Sequence, residues 1–373
     1  MAAFETGAYR NLFAELGYPQ AEIDRRIQEI WDAIFGDGPL SVYQEVGEDM
    51  GFVTDTGNND VRTEGQSYAM LMAVLYDNKE VFDRVWKWTK EYMYMDEGDN
   101  AGYFAWSVGL DGAKNAYGPA PDGENFFAIA LLFAHNRWGS GEGAYDYQKH
   151  AKKLLHDVLY NPQPMWNPEN KLIKFVPSME ITDPSYHTPH FFELFALWGN
   201  EEDKQFWLDA AKASRDYLVT ACHPTTGLNP EYSHYDGRPH VGLRHHHLFY
   251  SDAYRTALNI ALDTIWFGEQ PELIKAVRNQ QEFLKREDWD DIFEVDGTKP
   301  TIEELKQLNL DEKVLHPVGL IATTAAGSLA TGDEEWVRRF WETPLRSGDR
   351  RYYDNKLYAF SFLALAGKYQ IVK

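Results

Sequence analysis

The sequence is poor in cysteine, in cationic residues and in long apolar runs. Its one cysteine, Cys222, has no partner for an intrachain disulfide. Lys and Arg number 36 against 58 Asp and Glu, a formal net charge of −22. Such a surface repels phosphate, so neither nucleic acid nor an anionic membrane is an expected partner. A neutral ligand is indifferent to it. The longest uncharged stretch, Val314 to Gly332, carries His316, Pro317 and several Thr, Gly and Ser, and reads as a buried helix rather than a membrane span. Met1-Ala2-Ala3-Phe4-Glu5-Thr6 has neither a basic n-region nor an apolar h-region, so a cytoplasmic location is expected. Gly139-Ser140-Gly141-Glu142-Gly143 lacks the Lys and Ser/Thr of a phosphate loop, and no cofactor is expected.

Aromatic residues are abundant: 12 Trp, 22 Tyr and 21 Phe, or 15% of the chain. Many must fill the core, because these rings bury more area than other side chains. Trp and Tyr in Gly-rich loops have another use, as flat platforms for sugar faces.

Two kinds of helical pattern alternate. The first is amphipathic: Ile23, Ile27, Ile30 and Ile34 follow one stripe, as do Val81, Val85, Trp88 and Tyr92. Tyr147, Ala151, Leu154 and Val158 repeat it, then Phe206, Ala210, Ala213 and Tyr217. Weaker versions lie near 271–286 and 333–343. The second kind is apolar nearly all round, at Ala69–Tyr76, Phe126–Ala134, Phe191–Trp198, Ala253–Leu262, Val318–Ala330 and Leu357–Gly367. A helix with no polar face must be enclosed on all sides. These patterns predict an all-α (α/α)₆ barrel, six inner helices inside six outer ones, with inner starts near 64, 123, 187, 251, 317 and 354. No linker divides the chain, so residues 1–373 read as one domain.

Links from outer to inner helices are long, roughly 96–122, 161–186, 222–250 and 287–316. Loops of that length are usually functional, and all would lie at one mouth of the barrel. Three acids begin inner helices there: Glu64, Asp122 and Asp252. Each has a structural explanation. Thr63 with Gln66 reads as a capping box, and Asp122 or Ser251 with Asp252 as N-caps. Together they also suit glycoside hydrolysis, which needs a carboxylic acid and a carboxylate. A helix N-terminus and Arg62 should lower the pKa of Glu64, so burial and an ionised Asp122 must overcome both.

Arg62-Thr63-Glu64-Gly65-Gln66-Ser67-Tyr68 resembles the acid-bearing motif of glycoside hydrolase family 8. Ala120-Pro121-Asp122-Gly123-Glu124, with Ala128, Ala130, Ala134 and Trp138 after it, resembles that family's second pattern. The resemblance implies the same barrel and an inverting hydrolase. It makes Glu64 the general acid, sets Asp122 beside the distorted sugar and makes Asp252, with Arg255 one turn later, the general base. Pro121 and Glu124 stand where Ser or Thr and Asp are usual, which argues against a cellulase or chitosanase. Asp183-Pro184-Ser185-Tyr186-His187 and Val314-Leu315-His316-Pro317-Val318-Gly319 resemble the branch that removes single xyloses from the reducing end of xylo-oligosaccharides. In that branch the loop carrying His316 closes the product side, which implies contact between His316 and the terminal sugar.

Trp106, in Gly102-Tyr103-Phe104-Ala105-Trp106, suits a sugar platform or a core ring equally. Tyr186 and Tyr353 precede inner helices and should reach the mouth, although Tyr352 competes with Tyr353. Arg244-His245-His246-His247 invites a metal, but adjacent histidines on a strand or helix diverge and no HExxH or paired-Cys pattern accompanies them. No metal is expected. An endo-acting xylanase or glucanase of the same family, a non-catalytic oligosaccharide-binding barrel and, more distantly, a lyase remain as alternatives.

Overall fold

The computed structural model describes residues 2–373 and has the (α/α)₆ barrel. The inner helices are Thr63–Leu75, Pro121–Trp138, Pro189–Trp198, Arg255–Phe267, Pro317–Ala326 and Arg351–Leu365. The outer helices are Gln20–Phe35, Lys79–Tyr92, Tyr147–Tyr160, Lys204–Ala221, Pro271–Arg286 and Glu334–Glu342. Two short antiparallel strand pairs, the hairpin Tyr43–Val46 with Met50–Val53 and the long-range pair Val61–Arg62 with Ser107–Val108, support loops at the mouth. Among the described residues no helix is long and apolar enough to cross a membrane.

The inner helices start within a few residues of their expected positions, and both weak outer patterns are helices. Val85 and Trp88 are buried as their stripe requires, while Val81 and Tyr92 at its edges are half-buried. Proline takes the first helical position in the second, third and fifth inner helices, where its missing N–H costs nothing. The barrel is filled by rings from different inner helices. Tyr68 meets Phe126 at 4.5 Å and Phe360 at 5.2 Å, and Phe126 meets Phe191 at 5.1 Å. Trp266 and Tyr369 complete the packing, 5.6 Å apart. The first outer helix docks on the last inner one through Arg26, which donates to Tyr358 Oη at 2.6 Å.

Two local expectations change. The fifth inner helix is not continuous over Val318–Ala330 but breaks at Gly327 before a short turn, Ser328–Thr331. A Cβ at Gly327 would lie 2.6 Å from Val277 Cγ1, so the outer helix presses against the break. The capping box at Thr63 and Gln66 is absent. Gln66 accepts from the Val53 N–H at 2.7 Å and donates to Thr89 Oγ1 at 3.1 Å. A buried amide with two distant partners is worth more there than at an exposed helix end.

Candidate active site

The long loops meet at one mouth and enclose a cleft of about 730 Å³. Arg255 lies behind Glu64, Asp122 and Asp252 of its lining, with its side chain 4% exposed. Its Nη1 donates to Asp122 Oδ2 at 3.0 Å and to Tyr68 Oη at 2.9 Å, and stands 3.5 Å from Glu64 Oε2. Its Nη2 stands 3.3 Å from Asp252 Oδ1 and 4.0 Å from Asp183 Oδ2. One guanidinium is therefore shared by four carboxylates. It cannot neutralise all of them, and burial dominates the proton affinities of Glu64, Asp122 and Asp183.

Glu64 is pushed up to about 7, chiefly by burial, with the Asp122 and Asp252 charges adding to it against Arg255 and Lys356. Arg62 is not the opposing cation expected from the sequence. It turns toward Asp55 and Asp60, at 3.1 Å from each. Burial also raises Asp122 and Asp183, although Asp122 accepts from the Gly123 N–H at 2.9 Å and Asp183 from the Ser185 N–H at 2.7 Å. Neither Asp122 nor Ser251 is an N-cap: Asp122 follows Pro121 inside the first turn, and Ser251 is the first residue of a 3₁₀ turn, Ser251–Tyr254, which carries Asp252 and leads into the fourth inner helix.

The remaining expected residues also line the cleft. Trp106 is 37% exposed, with the Arg62 guanidinium 5.2 Å from its ring. It is a cleft-wall ring, not a core ring. Tyr186 lies 5.7 Å from the Arg255 guanidinium. Tyr353 Oη lies 3.2 Å from Ser251 O and 3.3 Å from Asp252 Oδ1, with one proton to give between them. His316 Nδ1 donates to Asp354 Oδ2 at 3.0 Å, and Arg346 holds both Asp354 and the Leu315 carbonyl. That loop is a fixed bend leading into Pro317.

Asp183 and Glu231 were not among the expected site residues. Asp183 stood in a motif quoted for its resemblance, so the signal was present but unused. Glu231 is buried and accepts the Asp252 N–H at 2.9 Å, while His246 Nδ1 donates to its other oxygen at 2.7 Å. His245 Nε2 stands 3.7 Å from the same oxygen, whereas His247 faces Glu294. His245 and His246 thus converge rather than diverge, because residues 241–247 form turns, with Arg244 at φ 47°, and not a strand or helix. Ligand atoms of Glu231, His245 and His246 lie within 4.8 Å of one another, a spacing that suits a metal. Glu231 already spends one oxygen on Asp252 and the other on His246.

Clustered carboxylates and aromatic rings gathered in a barrel mouth are what a hydrolase of glycosidic bonds needs. Residues 46–364 match Glycosyl hydrolases family 8, and the chain belongs to that family. It is 52% identical to a reducing end xylose-releasing exo-oligoxylanase of Halalkalibacterium halodurans, over 99% of this chain and 96% of that protein. A protein of the same description from Bifidobacterium adolescentis is 50% identical over 96% of both. A crystal structure of a variant reducing-end-xylose releasing exo-oligoxylanase complexed with xylobiose superposes with a TM-score of 0.95, at 52% identity and full coverage of both chains.

Proposed function

We propose that this enzyme releases xylose from the reducing end of β-1,4-xylo-oligosaccharides and inverts the anomeric centre. Glu64 is the general acid, Asp252 the general base, and Asp122 holds the sugar at the cleavage site. The carrying observation is Glu64, a half-buried carboxyl, 17% exposed, that desolvation lifts to about 7 so that it keeps a proton to give near neutrality. Asp252 stands at the other arm of Arg255 with its side chain 27% exposed, open to the water it must activate. An inverting pair needs about 6.5–9.5 Å between its carboxyls to admit that water. Full-length likeness to two exo-oligoxylanases supports the substrate.

His316 supports the position of the cut. Asp354 ties Nδ1 and fixes the ring, which leaves Nε2 to meet the anomeric hydroxyl of a sugar beyond the cleavage point. A site built to bond a hydroxyl discriminates strongly against its absence. Trp106, Tyr186 and Tyr353 complete the walls. Rings from first to last inner helix share one core, which supports a single catalytic domain, and a short-oligosaccharide substrate fits the expected cytoplasmic location.

Xylotriose labelled with ¹⁸O at its reducing end tests the proposal. The expected products are labelled xylose and unlabelled xylobiose, with little loss of xylan viscosity. His316→Ala should weaken this preference more than it weakens turnover. Labelled xylobiose as the main product, or rapid internal cutting of xylan, would replace the exo reading with the endo one.

A further inference from the structure

A second buried cation lies behind Glu64, and the acid–base scheme makes no use of it. Lys356, on the last inner helix, has no measurable exposure, and its Nζ has no hydrogen-bond partner. The ammonium sits 3.3 Å above the ring of Tyr352, one turn earlier, whose own hydroxyl is also buried and unpartnered. Both press against the backbone next to the acid. A Cβ at Gly65 would stand 2.7 Å from Lys356 Nζ and 2.4 Å from Tyr352 Oη, so only glycine allows the lysine this close. An unpaired ammonium in such a place is costly and shifts toward its neutral form unless a nearby anion holds it.

The charged groups around it are few. Glu64 faces it from the first inner helix, Asp55 and Arg62 from the segment before that helix, and Tyr352 from its own. Asp55 is already engaged by Arg62. Around Glu64 stand Arg255, Asp122, Asp252 and Lys356. Arg255 is divided among four carboxylates, so Lys356 is the cation with no other claim on it.

We infer that Lys356 is the charge partner of Glu64, a positioning residue that becomes fully cationic when the acid loses its proton and so sets how readily that proton leaves. When Glu64 protonates the leaving oxygen, the O–H bond of the carboxyl breaks and a half-buried carboxylate remains. The nearby ammonium balances it until a proton from solvent restores the acid. Burial drives Lys356 down to about 7, with the Glu64 charge as the main force opposing it, and the two groups therefore titrate as a pair in the same range.

The inference rests on Glu64 being the acid. Lys356→Met keeps the length and removes the charge. The basic limb of its kcat/KM profile on xylotriose should move to higher pH by about one unit, because the acid has lost a cation that favours its ionised form. A limb that stays in place or moves down overturns the inference, since a merely structural lysine would change the rate without moving the limb. If Lys356→Met does not fold, ¹³Cε-lysine NMR decides the question on wild type and Glu64→Gln. Lys90 is also depressed, to about 8, but lies outside this group, so two lysines should titrate low and only one should respond to Glu64→Gln, by a fall in its midpoint. No responding lysine overturns the pairing. Near-normal turnover in Glu64→Gln instead removes the acid assignment, whatever the lysine spectrum shows.

Discussion

The backbone N–H of Asp252 donates to Glu231 Oε1, so the residue proposed as the base is located by a second, deeper carboxylate. Glu231 is in turn held by His246, whose ring stacks on Tyr232 at 4.1 Å. Displacing a reacting group by about 1 Å can cost on the order of a hundredfold in rate. Glu231→Ala should therefore lower kcat by roughly tenfold to a hundredfold. Glu231→Gln, which still offers an oxygen to Asp252, should recover much of the loss. Stopped assays on xylotriose with both variants check this, and equal rates for wild type and Glu231→Ala would falsify it.

Glu64 connects activity to stability. Its proton affinity is higher folded than unfolded, so ionisation above the unfolded value near 4.5 penalises the folded state. Stability associated with this group is fully present below that value and is lost as pH rises to about 7. The loss is on the order of 3 kcal/mol at most. Glu64→Gln should melt with wild type near pH 4.5 and several degrees higher at pH 8, while losing most of its activity at both. A variant that melts lower than wild type at pH 8 would show that the carboxylate stabilises the site.

Proton NMR of the first products reads the stereochemistry. With the proposed acid and base on opposite arms of Arg255, water should attack from the face away from the leaving sugar. The α-anomer should appear first at the new reducing end. A β-anomer appearing first would mean retention and would require a carboxylate in bonding contact with the sugar.

Trp106 offers a test of binding apart from chemistry. Its ring is partly exposed on the cleft wall and takes little part in the core. Trp106→Ala should raise KM about tenfold, equivalent to about 1.4 kcal/mol, with kcat nearly unchanged and little change in melting. A large drop in Tm with unchanged KM would return the ring to a structural role.

The barrel was legible because enclosure leaves a strong mark. Segments such as Phe126–Ala134 have no polar face, while stripes such as Ile23, Ile30 and Ile34 have one buried side. Glu64, Asp122 and Arg255 were legible because each lies at a helix start or one turn from an acid. What could not be read was long-range partnering. Gln66 looked like half of a cap because its partners, Val53 and Thr89, lie 13 and 23 residues away. Glu231 stands in a loop with no period at all, and its role depends on a contact with Asp252, 21 residues later. Lys356 stands beside the enclosed segment Leu357–Gly367 without any motif of its own, and only the neighbouring helices reveal that its ammonium is buried and unpartnered.

The sharing of Arg255 among Glu64, Asp122, Asp183 and Asp252 also bears on which chains can enter. A site with more acid than its one guanidinium can answer is hostile to a second source of negative charge. Xylan side groups differ in this respect: arabinose is neutral, whereas glucuronic acid carries a carboxylate. A glucuronate next to the scissile bond would face, at short range, those of these carboxylates that are ionised, in a pocket where water screens poorly. The acids proposed to protonate and hydrolyse the backbone should thus also act as a filter, admitting bare or neutrally decorated oligosaccharides and turning away those whose branches are acidic near the cut.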